Sequence, residues 1–216
     1  MGCCSVPAAD TGRFFSRLAR LHRIRFKLFG FETSQRHLLE GIKQQGHTGA
    51  RLLEIGCGPG YLHQALLKSG AARATGIDLS ERMMVEARAL ARSEGLAEVT
   101  DYRQGDFVEL AGELNDADVT VLDKVLCCYP DVASLVDRSL DKTRKVYGLT
   151  YPRDRALTRA GMGLMACLLR LLGSSFRPYV HDPSFIEARI VQHGFEKTYT
   201  NQTLAWLTQV YTRIPA

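Results

Sequence analysis

The stretch LLEIGCGPGYL, residues 52–62, decides how the chain is read. Three glycines, Gly56, Gly58 and Gly60, stand at every second position behind an acid, Glu54. RLLEI before them is an apolar run of strand length. LHQALLKS after them places Leu62, Ala65 and Leu66 on one helical face, with Gly70 as its stop. Glycine admits backbone conformations barred to other residues and lets a ligand approach to contact distance. A glycine-rich turn between a strand and a helix is therefore expected to carry a ligand against its backbone.

Outward from this turn, strand and helix patterns alternate. ATGID reads as a strand. SERMMVEARALARSEG reads as a helix capped by Ser80, with Met83, Met84, Ala87, Leu90 and Ala91 as its apolar stripe. VTDYRQGD and DVTVLD are strands. PDVASLVDRSLDKT is a helix with Val132, Leu135, Val136 and Leu140 inward, and RKVYGLTY is a further strand. Units of this length imply a parallel sheet with helices on both faces. Ligands of such doubly wound sheets bind beyond the carboxyl ends of the strands, at the switch point.

The tail departs from the alternation. Leu157 to Leu172 is apolar and helical, most simply a packing helix, with Arg159 and Arg170 near its ends. After the loop SSFRPYVHDP, Asp182 caps a helix that has Pro183 at its first position and ends at Gly194. FEKTYTNQTLAWLTQVYTR reads as two strands around a tight reversal near Gln202 to Leu204, an antiparallel edge. Ahead of the glycines, TGRFFSRLARLHRIRFKLFG forms a basic amphipathic helix without an acid, ended by Gly30. Arg13, Arg17, Arg20 and Lys27 fall near one face, and Phe14, Leu18, Leu21 and Leu28 near another. Its basic face is open to three readings: a solvated surface, a lid over an acidic substrate, or a contact with anionic lipid. A second helix, Thr33 to Gln45, buries Leu38, Leu39 and Ile42.

The 216 residues suffice for one domain with a sizeable core. With 45% apolar and 24% charged residues the composition is ordinary, and a net charge of +5 does not by itself imply nucleic acid. Of six cysteines, Cys3–Cys4 and Cys127–Cys128 are adjacent pairs and no CxxC occurs, which implies reduced thiols and a cytoplasmic protein. MGCCSVPAAD lacks the apolar region of a secretory signal, and Val6 stands where myristoylation wants Ser or Thr. The uncharged run Ala160 to Leu169 falls short of the ~20 residues that span a bilayer.

Asp78 ends the second strand, 18 residues after Gly60, where a carboxylate accepts hydrogen bonds from both hydroxyls of a ribose. Asp106 and Phe107, after the third strand, offer a carboxylate for an exocyclic amine and a ring for the flat face of an adenine. A dinucleotide fingerprint needs a glycine where Tyr61 stands, and the loop lacks the Lys-Ser/Thr of a phosphate-cradling P-loop.

The set Glu54-x-Gly56-x-Gly58-x-Gly60, Asp78 and Gly105-Asp106-Phe107 resembles the class I S-adenosylmethionine-dependent methyltransferases, over about Arg51 to Tyr151. The resemblance implies an α/β chain with a doubly wound, mostly parallel seven-stranded sheet (the Rossmann-like methyltransferase fold), an antiparallel C-terminal edge and N-terminal cap helices. It implies one domain over 1–216: cap helices at 1–46, a cofactor-binding core at 51–151, and substrate cover with C-terminal strands at 152–216. The cofactor would be S-adenosyl-L-methionine, held by Glu54, Gly56, Gly58, Gly60, Asp78, Leu79, Asp106, Phe107 and Asp123. Asp123, Lys124 and Val125 would border the methyl group. LDKVLCCYPD, TYPRD and FRPYVHDP are similar to a narrower bacterial group of small-molecule methyltransferases, labelled by analogy with magnesium-protoporphyrin O-methyltransferase.

Asp123, Tyr129 and His181 are the candidate general bases; Tyr129 reads equally as packing or a pocket wall, and Asp123 as a residue that holds backbone at a strand end. His181 is read as a loop histidine able to fold over the pocket or to bond to backbone. Cys127 and Cys128 are small buried hydrophobes first, a nucleophile or soft-metal pair second, and no metal is expected. The expected partner is a small-molecule methyl acceptor, with a carboxylate or hydroxyl on an apolar acidic molecule such as a tetrapyrrole. The alternatives are a nucleic-acid methyltransferase, or a non-catalytic cofactor-binding module at membrane surfaces reached through the basic N-terminal helix. The loop DKVL lacks both the Asn/Asp-Pro-Pro-aromatic and the Pro-Cys of base-modifying enzymes, so nucleic acid is not expected.

Overall fold

The computed structural model describes residues 12, 13, 16, 23–171, 173–174 and 176–215. The expectations for Cys3, Cys4, Phe14, Arg17, Leu18, Arg20, Leu21 and Leu172 lie outside the described residues. Helix α1 covers 23–29 and stops at Gly30, whose φ is +63°. The chain continues through α2 (Thr33–Gln45), β1 (Arg51–Ile55), α3 (Tyr61–Lys68), β2 (Arg73–Asp78), α4 (Glu81–Ser93), β3 (Thr100–Gln104), α5 (Phe107–Leu110) and β4 (Ala117–Asp123). Then follow α6 (Val132–Asp141), β5 (Thr143–Pro152), α7 (Ala156–Leu171), α8 (Pro183–Gln192), β6 (Phe195–Gln202) and β7 (Trp206–Arg213).

The seven strands lie in the order β3-β2-β1-β4-β5-β7-β6. β3 through β5 run parallel. β7 pairs antiparallel with both β5 and β6, so the expected antiparallel C-terminal edge is present. The order reverses between β1 and β4, which places the switch point there. Register brings the strand ends level. Ile55 faces Ile77, and Glu54 faces Val121, so Gly56, Asp78 and Asp123 emerge side by side at the carboxyl edge.

Each strand feeds two cores by its period of two. Leu52, Val119, Val121 and Val146 join Leu38 and Ile42 of α2 on one face. Leu53, Tyr147, Leu149 and Tyr151 join Leu135 of α6 and Ile186 of α8 on the other. Removing a fully buried leucine such as Leu38 forfeits about 1.5–3 kcal/mol of transfer free energy before any cavity forms. The expected caps are in place: Ser80 Oγ accepts from the Met83 N–H, and Asp182 accepts from Ser184 N. One expectation fails. α7 buries none of its residues, so it is not a packing helix.

Candidate active site

A cavity of about 560 Å³ opens at the carboxyl edge of the sheet. Gly56, Gly58, Asp78, Leu79, Asp106 and Phe107 all line it. Gly58, at φ +52°, faces open space: a Cβ there would meet nothing within 4 Å. Gly60, at φ +80°, is glycine for a different reason. A Cβ there would lie 2.6 Å from the His63 ring, so the protein's own packing excludes it. The close approach that the motif suggested is therefore divided between the cavity at Gly58 and a buried histidine at Gly60.

Asp78 is fixed by the backbone. Its Oδ2 accepts from Gly58 N at 2.9 Å, and its Oδ1 from Ser80 N at 2.8 Å. Burial raises its pKa, and the two N–H donors oppose that shift. Asp106 caps α5 through Val108 N and accepts the Tyr129 hydroxyl at 2.9 and 3.1 Å.

Glu54 lines the cavity but is also committed inward. Its Oε2 accepts from the backbone N of His63 at 3.1 Å and contacts His63 Nδ1 at 2.5 Å. His63 Nε2 lies 2.9 Å from the Tyr102 hydroxyl, which also accepts from Gln64 Nε2. A neutral imidazole with its proton on Nδ1 satisfies every one of these contacts. This buried network was invisible in the sequence reading, where Glu54 was assigned to the cofactor alone.

The three candidate bases separate. His181 Nε2 donates to the carbonyls of Leu126 at 2.8 Å and Tyr129 at 3.2 Å, burial lowers its pKa, and it is not among the residues lining the cavity. It braces the loop after β4, the backbone-bonding alternative of its two readings. Tyr129 lines the cavity, in keeping with its reading as a pocket wall; its hydroxyl donates to Asp106, and burial and that carboxylate push its pKa far up. Asp123 differs. Its Oδ2 accepts from Gln35 Nε2 at 2.9 Å, with Lys124 Nζ 3.5 Å away, while its buried Oδ1 has no partner among the described residues. Burial raises its pKa; Lys124 and Gln35 oppose this.

Phe26, Glu32 and Trp206, which line the cavity, carry no functional signal in the sequence. The ring of Phe26 in α1 stacks on Tyr61 at 3.6 Å, closing the cavity over the glycine turn. Glu32, at the start of α2, pairs with Arg25 and with Lys124, the latter at 2.8 Å. Lys124 has φ +60°, the one non-glycine residue in that region among the described residues. Its Nζ also lies 5.2 Å from the centre of the Trp206 ring. Such strain, of order 1–3 kcal/mol, persists where surrounding contacts fix it, here at the cavity wall. Cys127 and Cys128 line the cavity with sulfurs 3.6 Å apart; their mutual hydrogen bond and burial raise the Cys128 pKa. No group of three metal-ligating side chains occurs among the described residues.

Comparison with known proteins bears directly on this cleft. Residues 53–144, which carry the glycine turn, Asp78, Asp106 and Asp123, match the family described as a methyltransferase domain. The ubiquinone biosynthesis O-methyltransferase of Bordetella parapertussis is 38% identical over 172 residues, which cover 76% of this chain and 70% of that protein. The chain belongs to the class I S-adenosylmethionine-dependent methyltransferases. The corresponding protein of Pseudomonas aeruginosa is 36% identical over 95 residues, 44% of this chain, and the match spans 40% of that relative's length. Among solved structures, magnesium protoporphyrin IX methyltransferase from Synechocystis PCC 6803 with bound SAH superposes with a TM-score of 0.68 at 18% identity, covering 99% of this chain and 90% of that one. The fold is thus that of the methyltransferases, and the cofactor of the family is S-adenosylmethionine. The cleft suits it: an open backbone at Gly58 beside a carboxylate, Asp78, that backbone donors hold in place.

Proposed function

We propose that the chain transfers a methyl group from S-adenosylmethionine to an oxygen, hydroxyl or carboxylate, of a small apolar acidic acceptor. The observation that carries this reading is the make-up of the cavity. It joins the Gly58–Asp78 cradle to apolar walls from Met162, Met165, Phe176 and Trp206, with the cations Arg25 and Lys124, both paired with Glu32, among them. Its size lies within the ~300–1,000 Å³ usual for small-molecule sites. The name of the Bordetella parapertussis relative, an O-methyltransferase, supports oxygen as the acceptor atom.

The bound cofactor supplies an electrophilic methyl group. Asp78 would hold the ribose and Asp106 with Phe107 the adenine, and the Phe26–Tyr61 stack closes the cavity over the glycine turn. Tyr129 fixes Asp106, and His181 fixes the loop that carries Tyr129. Asp123, which lines the cavity beside Lys124, takes the proton of an arriving hydroxyl; an acceptor carboxylate needs no base.

Asp123→Asn is expected to lower kcat about 100-fold on a hydroxyl acceptor, within the usual yield of a positioned base. It is also expected to raise the melting temperature at neutral pH. The folded carboxyl binds its proton more tightly than the ordinary aspartate value of 3.8. That preference stabilises the fold below 3.8 and is lost as pH rises through the raised value, so the neutral amide removes a cost. Scanning calorimetry and initial rates on one preparation read both; an unchanged kcat removes Asp123 as the base.

The reaction itself is tested by transfer of a labelled methyl group to a panel of hydroxybenzoates with isoprenoid tails, tetrapyrrole carboxylates, short polar acids and tRNA. Labelling of the apolar acids, with short polar acids and tRNA unlabelled, is the expected outcome. Labelling of tRNA alone, weakening steeply with salt, overturns the proposal.

A further inference from the structure

Helix α7, ALTRAGMGLMACLLRL, is apolar yet buries none of its residues. An amphipathic helix of a soluble domain normally turns its apolar stripe into the core. Here Thr158, Met162, Ala166 and Leu169 are half-buried, and Met162 lines the cavity. Leu157, Leu164, Leu168 and Leu171 form a second stripe at helical spacing on the outer side, and Leu157 and Leu171 are 75% and 78% exposed. Helix α1 adds to the same rim: its Arg25 and Phe26 line the cavity, while Leu28 and Phe29 are 70% and 76% exposed.

The charge of this rim is predominantly basic, though Arg23 pairs with Glu86 and Arg25 with Glu32. Residues 23–29 contain Arg23, Arg25 and Lys27 and no acid. Residues 153–177 contain Arg153, Arg155, Arg159, Arg170 and Arg177 against Asp154 alone. Asp154 is taken by Arg159, and Arg155, Arg170, Arg177 and Lys27 are exposed. Arg159 and Arg170 bracket the uncharged run of α7, where long stems cover apolar surface and leave their charges in water. No helix among the described residues is long and apolar enough to cross a membrane. At 16 residues α7 is about 24 Å long, shorter than a bilayer's apolar thickness, so it suits lying in an interface.

We propose that α7 and the exposed edge of α1 seat the protein on an anionic bilayer surface, with the cavity mouth turned to the lipid. Charge complementarity selects this occupant: a second copy would bring two arginine-rich rims together, and like charges oppose that. An acceptor that dissolves in the membrane would then enter without crossing water. That consequence rests on the proposed function; the seating itself does not.

The full chain is sedimented with vesicles of phosphatidylcholine, and with vesicles of phosphatidylcholine mixed with phosphatidylglycerol. Binding to the mixed vesicles is expected to be at least ~10-fold tighter and to be released by salt. A Leu164→Glu, Leu168→Glu variant is expected to lose at least ~10-fold of that binding, and Arg155→Glu, Arg170→Glu its preference for the anionic lipid. All four sites are exposed, and affinity for S-adenosylhomocysteine, measured in parallel, is expected to stay unchanged. Folded wild type that binds neither vesicle at low salt overturns the proposal. So does undiminished binding by the leucine variant, or light scattering that shows a wild-type dimer split by that variant. Intact S-adenosylhomocysteine binding in any of these cases leaves the methyltransferase reading standing.

Discussion

An Asp78→Ala variant is expected to bind S-adenosylhomocysteine about 100-fold more weakly than the wild type while remaining folded. Two backbone donors hold the carboxylate, Gly58 N on one oxygen and Ser80 N on the other, so its remaining lone pairs stand fixed at the cavity wall. A hydrogen bond to a charged group contributes about 1.5–3 kcal/mol. Losing two at the lower figure costs about 3 kcal/mol, close to two decades in Kd. Calorimetric titration of both proteins gives the ratio, and circular dichroism confirms the fold. A loss under about three-fold would remove Asp78 as the ribose partner. Binding should also weaken with acidity at a higher pH than for an exposed aspartate. Burial raises this pKa, and the protonated carboxyl no longer accepts two hydroxyl donors.

Glu54→Ala is expected to destabilise the fold by about 3 kcal/mol or more, a fall in melting temperature of roughly 6–12 °C for a chain of this size. The substitution leaves the His63 backbone N–H and Nδ1 without their acceptor, in a place where the His63 side chain has no exposure to water. Unpaired buried polar groups cost about 1–3 kcal/mol each. Tyr102→Phe keeps the ring and the Glu54 contacts but leaves the buried His63 Nε2 without its partner, so it should cost about 1–3 kcal/mol, less than Glu54→Ala, which orphans two groups. Thermal unfolding of the two variants ranks them. If Glu54→Ala instead reduced cofactor affinity with no loss of stability, the acid would be a ligand contact and not the anchor of the buried network.

Much of this architecture was legible because local signals and the fold agree. The bounds of α2, Thr33–Gln45, follow from its stripe of Leu38, Leu39 and Ile42, all buried. The glycine turn announced the cleft because a strand had to end, and a helix begin, within a few residues. The carboxylates at the ends of β2 and β4 sit where a parallel sheet must place them. What stayed hidden is tertiary. His63, Glu54 and Tyr102 come from α3, β1 and β3, and no spacing in the sequence joins them. The partner that ties up the Tyr129 proton, Asp106, lies 23 residues away, so the sequence leaves base, packing and pocket wall open for Tyr129. The stripe of α7 showed that it is helical and apolar, and nothing in periodicity distinguishes burial in a core from exposure at a rim.

The central claim, that this cleft is built for S-adenosylmethionine, is tested most directly by calorimetric titration of the folded wild-type protein with S-adenosylhomocysteine. The account predicts saturable binding at roughly one ligand per chain, since one cavity carries both Gly58 and Asp78. Absence of binding by a protein that unfolds cooperatively, both alone and with the acceptor panel present, would contradict it.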